Sequence, residues 1–245
     1  MSSPLPLPHV SSTELFIAEV REDLINDIAS ISTPSSKSDL LTSIRSLAFQ
    51  FLKDAAHRPP HEHEHSRQGL EVLWHMFTDL AKALDQDDGF QDKLISLLLW
   101  TREYDRLYKR IHGIEGVENG WESYGLGDVL KASWEQVVAT GTPEEQRNLA
   151  SFSSKALSVG ICRDSVGQTA LWLLREALET SDEERSFSLL PAAIVWIENA
   201  YHSLLAFSAI EKSYKDDPQA VAGLSSPGAL AQAAGVDDHG FTMKR

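Results

Sequence analysis

The sequence lacks the features that place a chain in a membrane or in an oxidising compartment. Its 245 residues include one cysteine, Cys162, so no disulfide can form within the chain, as is typical of a reducing compartment. The flanks of Cys162 match no nucleophile motif, and we expect a buried thiol. No apolar run approaches the roughly 20 residues of a bilayer span, and residues 1–9 resemble no signal peptide. These absences predict a soluble cytoplasmic protein.

Positive charge is scarce as well. The chain has 22 Lys and Arg residues against 36 Asp and Glu residues, which gives a formal net charge of -14. No Lys/Arg-rich block interrupts this acidic average. Because an acidic surface repels phosphate backbones and anionic lipids, we expect neither nucleic acid nor a membrane surface to be a partner.

Runs of alternating apolar and polar residues, which would indicate strands, are missing too. Apolar residues recur instead at helical spacing through most of the chain. Predicted helices lie around residues 15–28, 40–52, 70–81, 94–107, 121–138, 143–159, 170–179 and 191–207. The sequence therefore predicts an all-α fold, a single multi-helix domain of about eight helices, arranged as an orthogonal bundle or as stacked helix pairs.

Local signals fix several boundaries. Thr142 followed by Pro143 and Glu145 is a capping box with proline in the first helical turn. We expect residues 1–10 to form a flexible lead, residues 11–214 the helical domain, and residues 215–245 an Ala/Gly/Ser-rich, partly disordered tail. Within that tail, Ser226-Pro227 predicts the start of one short helix.

The segment around His61 and His65 matches the His-Glu-x-x-His pattern of zinc proteases, with Glu62 between the histidines. The segment is all polar, follows two prolines and has no third ligand downstream. We interpret it as a solvated first helical turn and predict no metal and no cofactor, with His61 and His65 as the surface candidates for adventitious metal binding.

Four aspartates, at positions 85, 87, 88 and 92, resemble in part the motif with which terpene cyclases hold magnesium. The partner motif of those enzymes does not follow. We therefore predict an acidic turn in which Asp87 or Asp88 caps the next helix.

The polar side chains that could do chemistry lie in the last predicted helix. Glu198 and His202 are four residues apart and share a face, with Tyr201 adjacent. A carboxylate can orient an imidazole for acid–base work, so these three are the candidate catalytic residues. The simpler interpretation is a helical ion pair.

Two tryptophan-centred segments carry a family resemblance. They read Leu171-Trp172-Leu173-Leu174-Arg175-Glu176-Ala177-Leu178-Glu179 and Ala192-Ala193-Ile194-Val195-Trp196-Ile197, preceded by Leu73-Trp74, Gln91-Asp92-Lys93-Leu94 and Trp121-Glu122. In their order and spacing they resemble a fungal all-helical family, number 3632 among the domains of unknown function. The resemblance spans about residues 70 to 207. It implies a helical intracellular fungal protein and transfers no catalytic residue.

Two classes of function remain open at this point. The first is a binding or scaffold protein that holds a small molecule or a partner helix, with a homodimer also open. The alternative is a cofactor-independent enzyme of fungal specialised metabolism, of cyclase, isomerase or lyase type, with a helix-lined pocket. The tryptophans, Trp172 and Trp196 above all, are expected to be packing anchors in either case.

Overall fold

The computed structural model describes residues 33–57, 63–114, 125–214, 227–235 and 240–241, together with Glu22, Asp23 and Asn26; the side chains of residues 63–67 are not described. These residues form eight α-helices and no strand, apart from an isolated antiparallel bridge between Ser213 and Gly240. The predicted all-α class is confirmed. The helices are α1 (Pro34–His57), α2 (His63–Ala83), α3 (Gly89–Ile111), α4 (Leu126–Thr140), α5 (Pro143–Ser158), α6 (Arg163–Leu178), α7 (Glu183–Ala209) and α8 (Ala229–Ala233).

Short-range hydrogen bonds start the helices where the sequence indicates. The Thr142 hydroxyl accepts from the Glu145 N–H, and the Glu145 carboxylate accepts from the Thr142 N–H at 2.7 Å, which completes the capping box. Asp88 caps α3 by accepting from the Phe90 N–H at 2.9 Å. Such caps satisfy N–H groups that have no partner inside the helix.

The core lies where α5 and α7 pack along each other, with α6 beside them and α2 on the far side of α5. Three tryptophans, Trp74, Trp134 and Trp196, are fully buried in it. The indole N–H of Trp134 donates to the Ser153 hydroxyl at 3.1 Å, so its polar atom is satisfied within the core. Helices α1 and α3 pack on α2 and form the other side of the molecule.

The described parts of the C-terminal region pack on α6 and α7. The buried Arg175 donates from Nη2 to the Gly240 carbonyl at 3.1 Å, and the Glu179 carboxylate accepts from the Gly228 N–H at 2.8 Å. Phe241 is buried, with its ring centroid 5.3 Å from that of Phe207. We call these contacts of residues 227–235 and 240–241 the C-terminal strap. The short helix predicted after Ser226-Pro227 is present as α8.

Three sequence predictions need correction. Helix α7 begins at Glu183, eight residues before the predicted start, because Asp182 caps it and Pro191 lies inside the helix. Helix α4 begins at Leu126, and the predicted anchor Trp121 lies outside the described residues. Trp172 is half-buried rather than central, because it lies at the edge of the face that α6 buries. The predicted helix over 15–28 lies almost entirely outside the described residues; Glu22, Asp23 and Asn26 are helical and exposed.

None of the described helices combines the length and the apolar character that crossing a bilayer requires.

Candidate binding surface on helix α7

Helix α7 is built to be long, despite a proline in its middle. The Asp182 carboxylate accepts from the Arg185 N–H at 3.1 Å, and Glu183 and Glu184 place negative charge in the first turn. Pro191 has no N–H to donate to the carbonyl of Phe187, which costs a helix interior about 3 kcal/mol. Packing of the 27-residue helix outweighs the local cost.

The inner face of α7 packs into the core. Its large side chains, Leu189, Trp196 and Phe207, are fully buried, and the small residues Ala192 and Ala193 between them allow close approach of α5. The Ser158 hydroxyl of α5 donates to a backbone carbonyl of α7, that of Asn199. The side-chain amide of Asn199 donates back to Ser154 of α5 at 3.2 Å. This side of α7 is therefore buried against α5 and the rest of the core.

The opposite side of α7 is also apolar, and within the part of the chain that the structure describes it is not covered. Its large side chains are Phe187, Ile194, Ile197, Tyr201 and Leu205, which we call the outer face. The spacings of seven, three, four and four residues place them on one stripe of the helix. Phe187 is 70% exposed, Ile194 52% and Leu205 55%.

Charge is almost absent along this stripe. Between Arg185 and Glu211 the only acidic or basic side chains are Glu198 and His202, in a chain that carries a net charge of -14. Exposed helix faces are ordinarily polar, and a helix that is apolar all round is ordinarily buried on all sides. The outer face therefore has the composition of a covered surface.

The three candidate catalytic residues lie on or beside the outer face, and all three are exposed. The rings of Tyr201 and His202 are in contact, with centroids 3.6 Å apart. Within the described residues, Glu198 and His202 form no ion pair, and the simpler interpretation of this pair stays a prediction. The structure brings the three side chains to one surface that faces solvent; a role for them in chemistry stays a prediction.

The other residues with possible chemistry have structural partners or lie outside the description. His61 and the side chain of His65 are not described. Asp88 caps α3 and pairs with Lys37, while Asp92 pairs with Lys155 of α5 at 2.7 Å. The hydrogen bonds from Lys37 and from the Phe90 N–H hold the pKa of Asp88 below its usual value, against a smaller effect of burial. The acidic turn thus serves as a helix cap, as predicted. Among the described residues, no three His, Cys, Asp or Glu side chains are grouped so that they could hold a metal ion.

Cys162 is buried, as predicted. It precedes α6 with φ 43°, in the left-handed region, which only a few per cent of residues other than glycine adopt. The sequence signalled neither this conformation nor its place at the start of α6.

Sequence reasoning missed a second surface, between α1 and α3. Trp100, Tyr104, Tyr108 and His112 follow each other at intervals of four residues along α3, so their rings form a row. The centroids of Trp100 and Tyr104 are 5.1 Å apart, and the two rings are stacked. We call this row the aromatic ladder. The four-residue spacing was the signal that could have predicted it.

Residues of α1 extend the aromatic ladder sideways. The Phe49 ring lies 4.8 Å from that of Tyr104, and His57 Nε2 lies 2.6 Å from the Tyr108 hydroxyl. Burial raises the pKa of Tyr104, with a smaller contribution from Tyr108. Phe49 and Trp100 remain more than a third exposed. The aromatic ladder is therefore a row of rings in contact with one another, partly exposed at Phe49 and Trp100.

Fold and surfaces together define an all-helical protein whose most distinctive feature is an uncovered apolar helix face. Comparison with known families identifies the family to which this helical chain belongs. The sequence model described as "Protein of unknown function (DUF3632)" matches residues 74–245, well over half of the chain. The chain belongs to this family, as its tryptophan-centred segments predicted.

A curated fungal relative is similar over part of its length. It is "Oxopyrrolidines biosynthesis cluster protein G" of Penicillium oxalicum, 26% identical over 168 residues. The match covers 58% of this chain and 46% of the relative, so this chain spans less than half the length of that protein. No solved structure matches the chain.

Proposed function

We propose that this chain is a binding and scaffold protein of fungal specialised metabolism, and that the outer face of α7 is its binding surface. The occupant that we propose is the same helix of a second copy, so that the functional unit is a homodimer. The observation that carries the proposal is the uncovered apolar stripe from Phe187 to Leu205. The metabolic setting rests on the relative from a biosynthesis cluster.

The size of the outer face supports a protein partner. Five large side chains, each 46% to 70% exposed, offer on the order of 400–500 Å² of apolar surface, within the range of about 300–600 Å² for the largest patch on a monomer, a patch that is often functional. Stable interfaces take about 800 Å² from each partner. The half-buried Leu190, Pro191 and Leu204 flank the stripe and bring the total towards that value.

The near absence of charge supports a second copy as the partner. Two chains of net charge -14 repel each other except where their contact surface carries little charge. Homodimer interfaces are more apolar than those of transient complexes. In an antiparallel pair centred near residue 196, Phe187 of one copy faces Leu205 of the other, and the two Glu198 carboxylates do not face each other. A two-fold axis requires this kind of self-complementary surface.

Sedimentation velocity of the full chain tests the proposal. We expect the wild type to sediment as a dimer at micromolar concentration, and the double substitution Ile194→Glu with Ile197→Glu to give a monomer, because it buries four carboxylates in the dimer. The matched control is Ile111→Glu, an equally apolar and more exposed side chain on α3. Circular dichroism establishes that each variant is folded. A wild type that stays monomeric, or a double variant that stays dimeric, contradicts the proposal.

One observation keeps a cofactor-independent enzyme as the second candidate. The contact between the Tyr201 and His202 rings, close to Glu198, gathers an acid, a phenol and an imidazole on one surface. If these groups act on a substrate, the double variant Glu198→Gln, His202→Ala must stay folded but must no longer support formation of the fungal metabolite that the enzyme helps to make. Full product formation by this double variant would exclude the enzyme and leave the scaffold.

A further inference from the structure

The C-terminal ends of two parallel helices bring two histidines and a tyrosine together. Helices α1 and α3 pack side by side. Phe49 of α1 lies against Tyr104 of α3, and further along both helices His57 lies against Tyr108, so the two helices run in the same direction. Helix α1 ends at His57, and α3 ends one residue before His112. The two histidines are 55 positions apart in the chain, so no sequence motif joins them.

The rings of these three residues contact one another. His57 Nε2 is 2.6 Å from the Tyr108 hydroxyl. The ring centroids of His57 and His112 are 5.6 Å apart, with the ring planes at 74°. Those of Tyr108 and His112 are 4.3 Å apart. Both imidazoles are exposed, so an ion can reach them from solvent.

The spacing of the two imidazoles fits a shared transition-metal ion. Zinc lies about 2.1 Å from the imidazole nitrogen that binds it, which places the ring centroid ~3.2 Å from the ion, so two imidazoles at the tetrahedral angle have centroids about 5.2 Å apart. The centroids of His57 and His112 are 5.6 Å apart, and rotation of two exposed side chains can remove the difference. The phenol oxygen of Tyr108, already beside His57, supplies a third donor in place of the usual carboxylate or thiolate.

The charge around these rings also favours a cation. The C-terminus of an α-helix carries about half a negative charge, and two such ends meet here. The nearest basic side chains of α3 do not oppose this effect strongly. Lys109 is paired with Asp105 at 2.9 Å, and Arg110 lies about 160° around the axis of α3 from His112. The net charge of -14 draws cations to the protein as a whole.

We propose that His57, His112 and Tyr108 bind one Zn²⁺ ion, with water as the fourth ligand. Zinc accepts mixed nitrogen and oxygen donors in a tetrahedron. The two neutral imidazoles each offer a lone pair, and the phenol releases its proton to solvent, so one proton leaves for each ion bound. The bound ion ties the end of α1 to the end of α3. The site shares no residue with the outer face of α7 and does not depend on a dimer.

Isothermal titration calorimetry of the full chain with Zn²⁺ tests the proposal. The background variant first removes the histidine segment that is the candidate for adventitious binding, through the substitutions His61→Ala, His63→Ala and His65→Ala. We expect this variant to bind one Zn²⁺ per chain. Adding His57→Ala or His112→Ala should raise the Kd at least tenfold, and adding Tyr108→Phe should raise it by about threefold to tenfold. Circular dichroism establishes that each variant is folded.

The matched control is His202→Ala, another exposed histidine, on α7, which should leave the Kd unchanged. Binding that is lost with His57 or His112 and kept in the control supports the proposal. An adventitious ion only, seen as no binding in the background variant or as a Kd that His57→Ala and His112→Ala leave unchanged, overturns it. An unchanged Kd in Tyr108→Phe overturns the three-donor site. A larger assembly that forms only when Zn²⁺ is added, seen by sedimentation velocity, places the ion between copies and also overturns the proposal.

Discussion

The two faces of α7 are almost equally apolar and yet lie in opposite environments. The inner face places Leu189, Trp196 and Phe207 in the core, while the outer face leaves Phe187 and Leu205 uncovered. Hydrophobic burial is worth about 25 cal/mol for each Å² removed from water. The inner face therefore contributes to folding of the single chain, and the outer face contributes the same kind of free energy only in the proposed dimer.

The largest difference between the two faces is expected from replacing one leucine on each of them by alanine. Leu189→Ala, at a side chain 1% exposed, should lower the free energy of unfolding by about 2–5 kcal/mol, because it leaves a cavity. Leu205→Ala, at a side chain 55% exposed, should cost the monomer less than about 0.5 kcal/mol. Urea denaturation measures the difference, at a protein concentration low enough to keep both variants monomeric.

In a dimerisation assay the order of the two effects should be reversed, with the larger change in dimer Kd for Leu205→Ala. Leu205→Ala removes apolar contact area between copies, so its dimer Kd should rise about tenfold, the equivalent of ~1.4 kcal/mol. Leu189→Ala should leave the Kd within about threefold, since its side chain does not reach the outer face. Equal effects of the two substitutions on Kd would contradict the division of α7 into two faces.

Gly167 of α6 tests how tightly the side chains beside the inner face of α7 are packed. A Cβ added at Gly167 would lie 2.7 Å from the Tyr214 hydroxyl and 2.8 Å from Phe207 Cε2, distances that no real contact shows. Gly167→Ala should therefore cost about 1–3 kcal/mol through overpacking. The control is Gly89→Ala in the first turn of α3, where a Cβ meets nothing within 4 Å and where alanine should be neutral or stabilising by up to about 1 kcal/mol. Thermal unfolding of the two variants measures both; equal melting temperatures would show that the inner face accommodates the extra carbon.

The smallest effect is expected from pH, and it should act on the fold without touching the outer face. The folded-state pKa of Asp88 lies below its ordinary value because Lys37 and the Phe90 N–H donate to the carboxylate. The resulting stabilisation is present above the unfolded-state pKa, about 3.8, and is lost as pH falls through the folded-state pKa. Asp88→Asn keeps the cap, so it should make the loss of stability between pH 5 and pH 2 shallower.

Urea titrations across this pH range measure the effect. Asp92→Asn is the control, since its carboxylate is more exposed and caps no helix. The dimer Kd of Asp88→Asn should equal that of the wild type, because α3 carries none of the outer face. A pH profile identical to that of the wild type would show that the cap is not sensitive to ionisation.

Local chemistry explains what the sequence could predict. The capping box at Thr142 and the cap at Asp88 depend on residues at most three positions apart; the first is confirmed as predicted, and the second is one of the two predicted alternatives, Asp87 or Asp88. The start of α7 was misplaced because Pro191 has the signature of a first helical turn. Asp182 carried the competing signal, a carboxylate placed three residues before Arg185, and tertiary packing allowed the helix to run through the proline.

The sequence could not predict which side chains of α7 are exposed to solvent. In a helix that is apolar on both sides, periodicity cannot tell which side meets the core, so the exposure of Tyr201 and the half-burial of Trp172 follow only from the packing of α5 and α6. The candidates Glu198 and His202 were correctly expected to share a face. Whether that face is inside or outside was decided by residues such as Ser154 and Ser158, which bind the other side of the helix.

The C-terminal strap also has a consequence in time. Arg175 and Gly240, which it joins, are 65 positions apart, about as far as Lys82 of α2 and Asn148 of α5, which also form a hydrogen bond. Closing a loop of that length costs chain entropy before any contact repays it, so such contacts form late. Folding should therefore begin within the helices, and the strap should close after them, as should the contacts between α2 and α5.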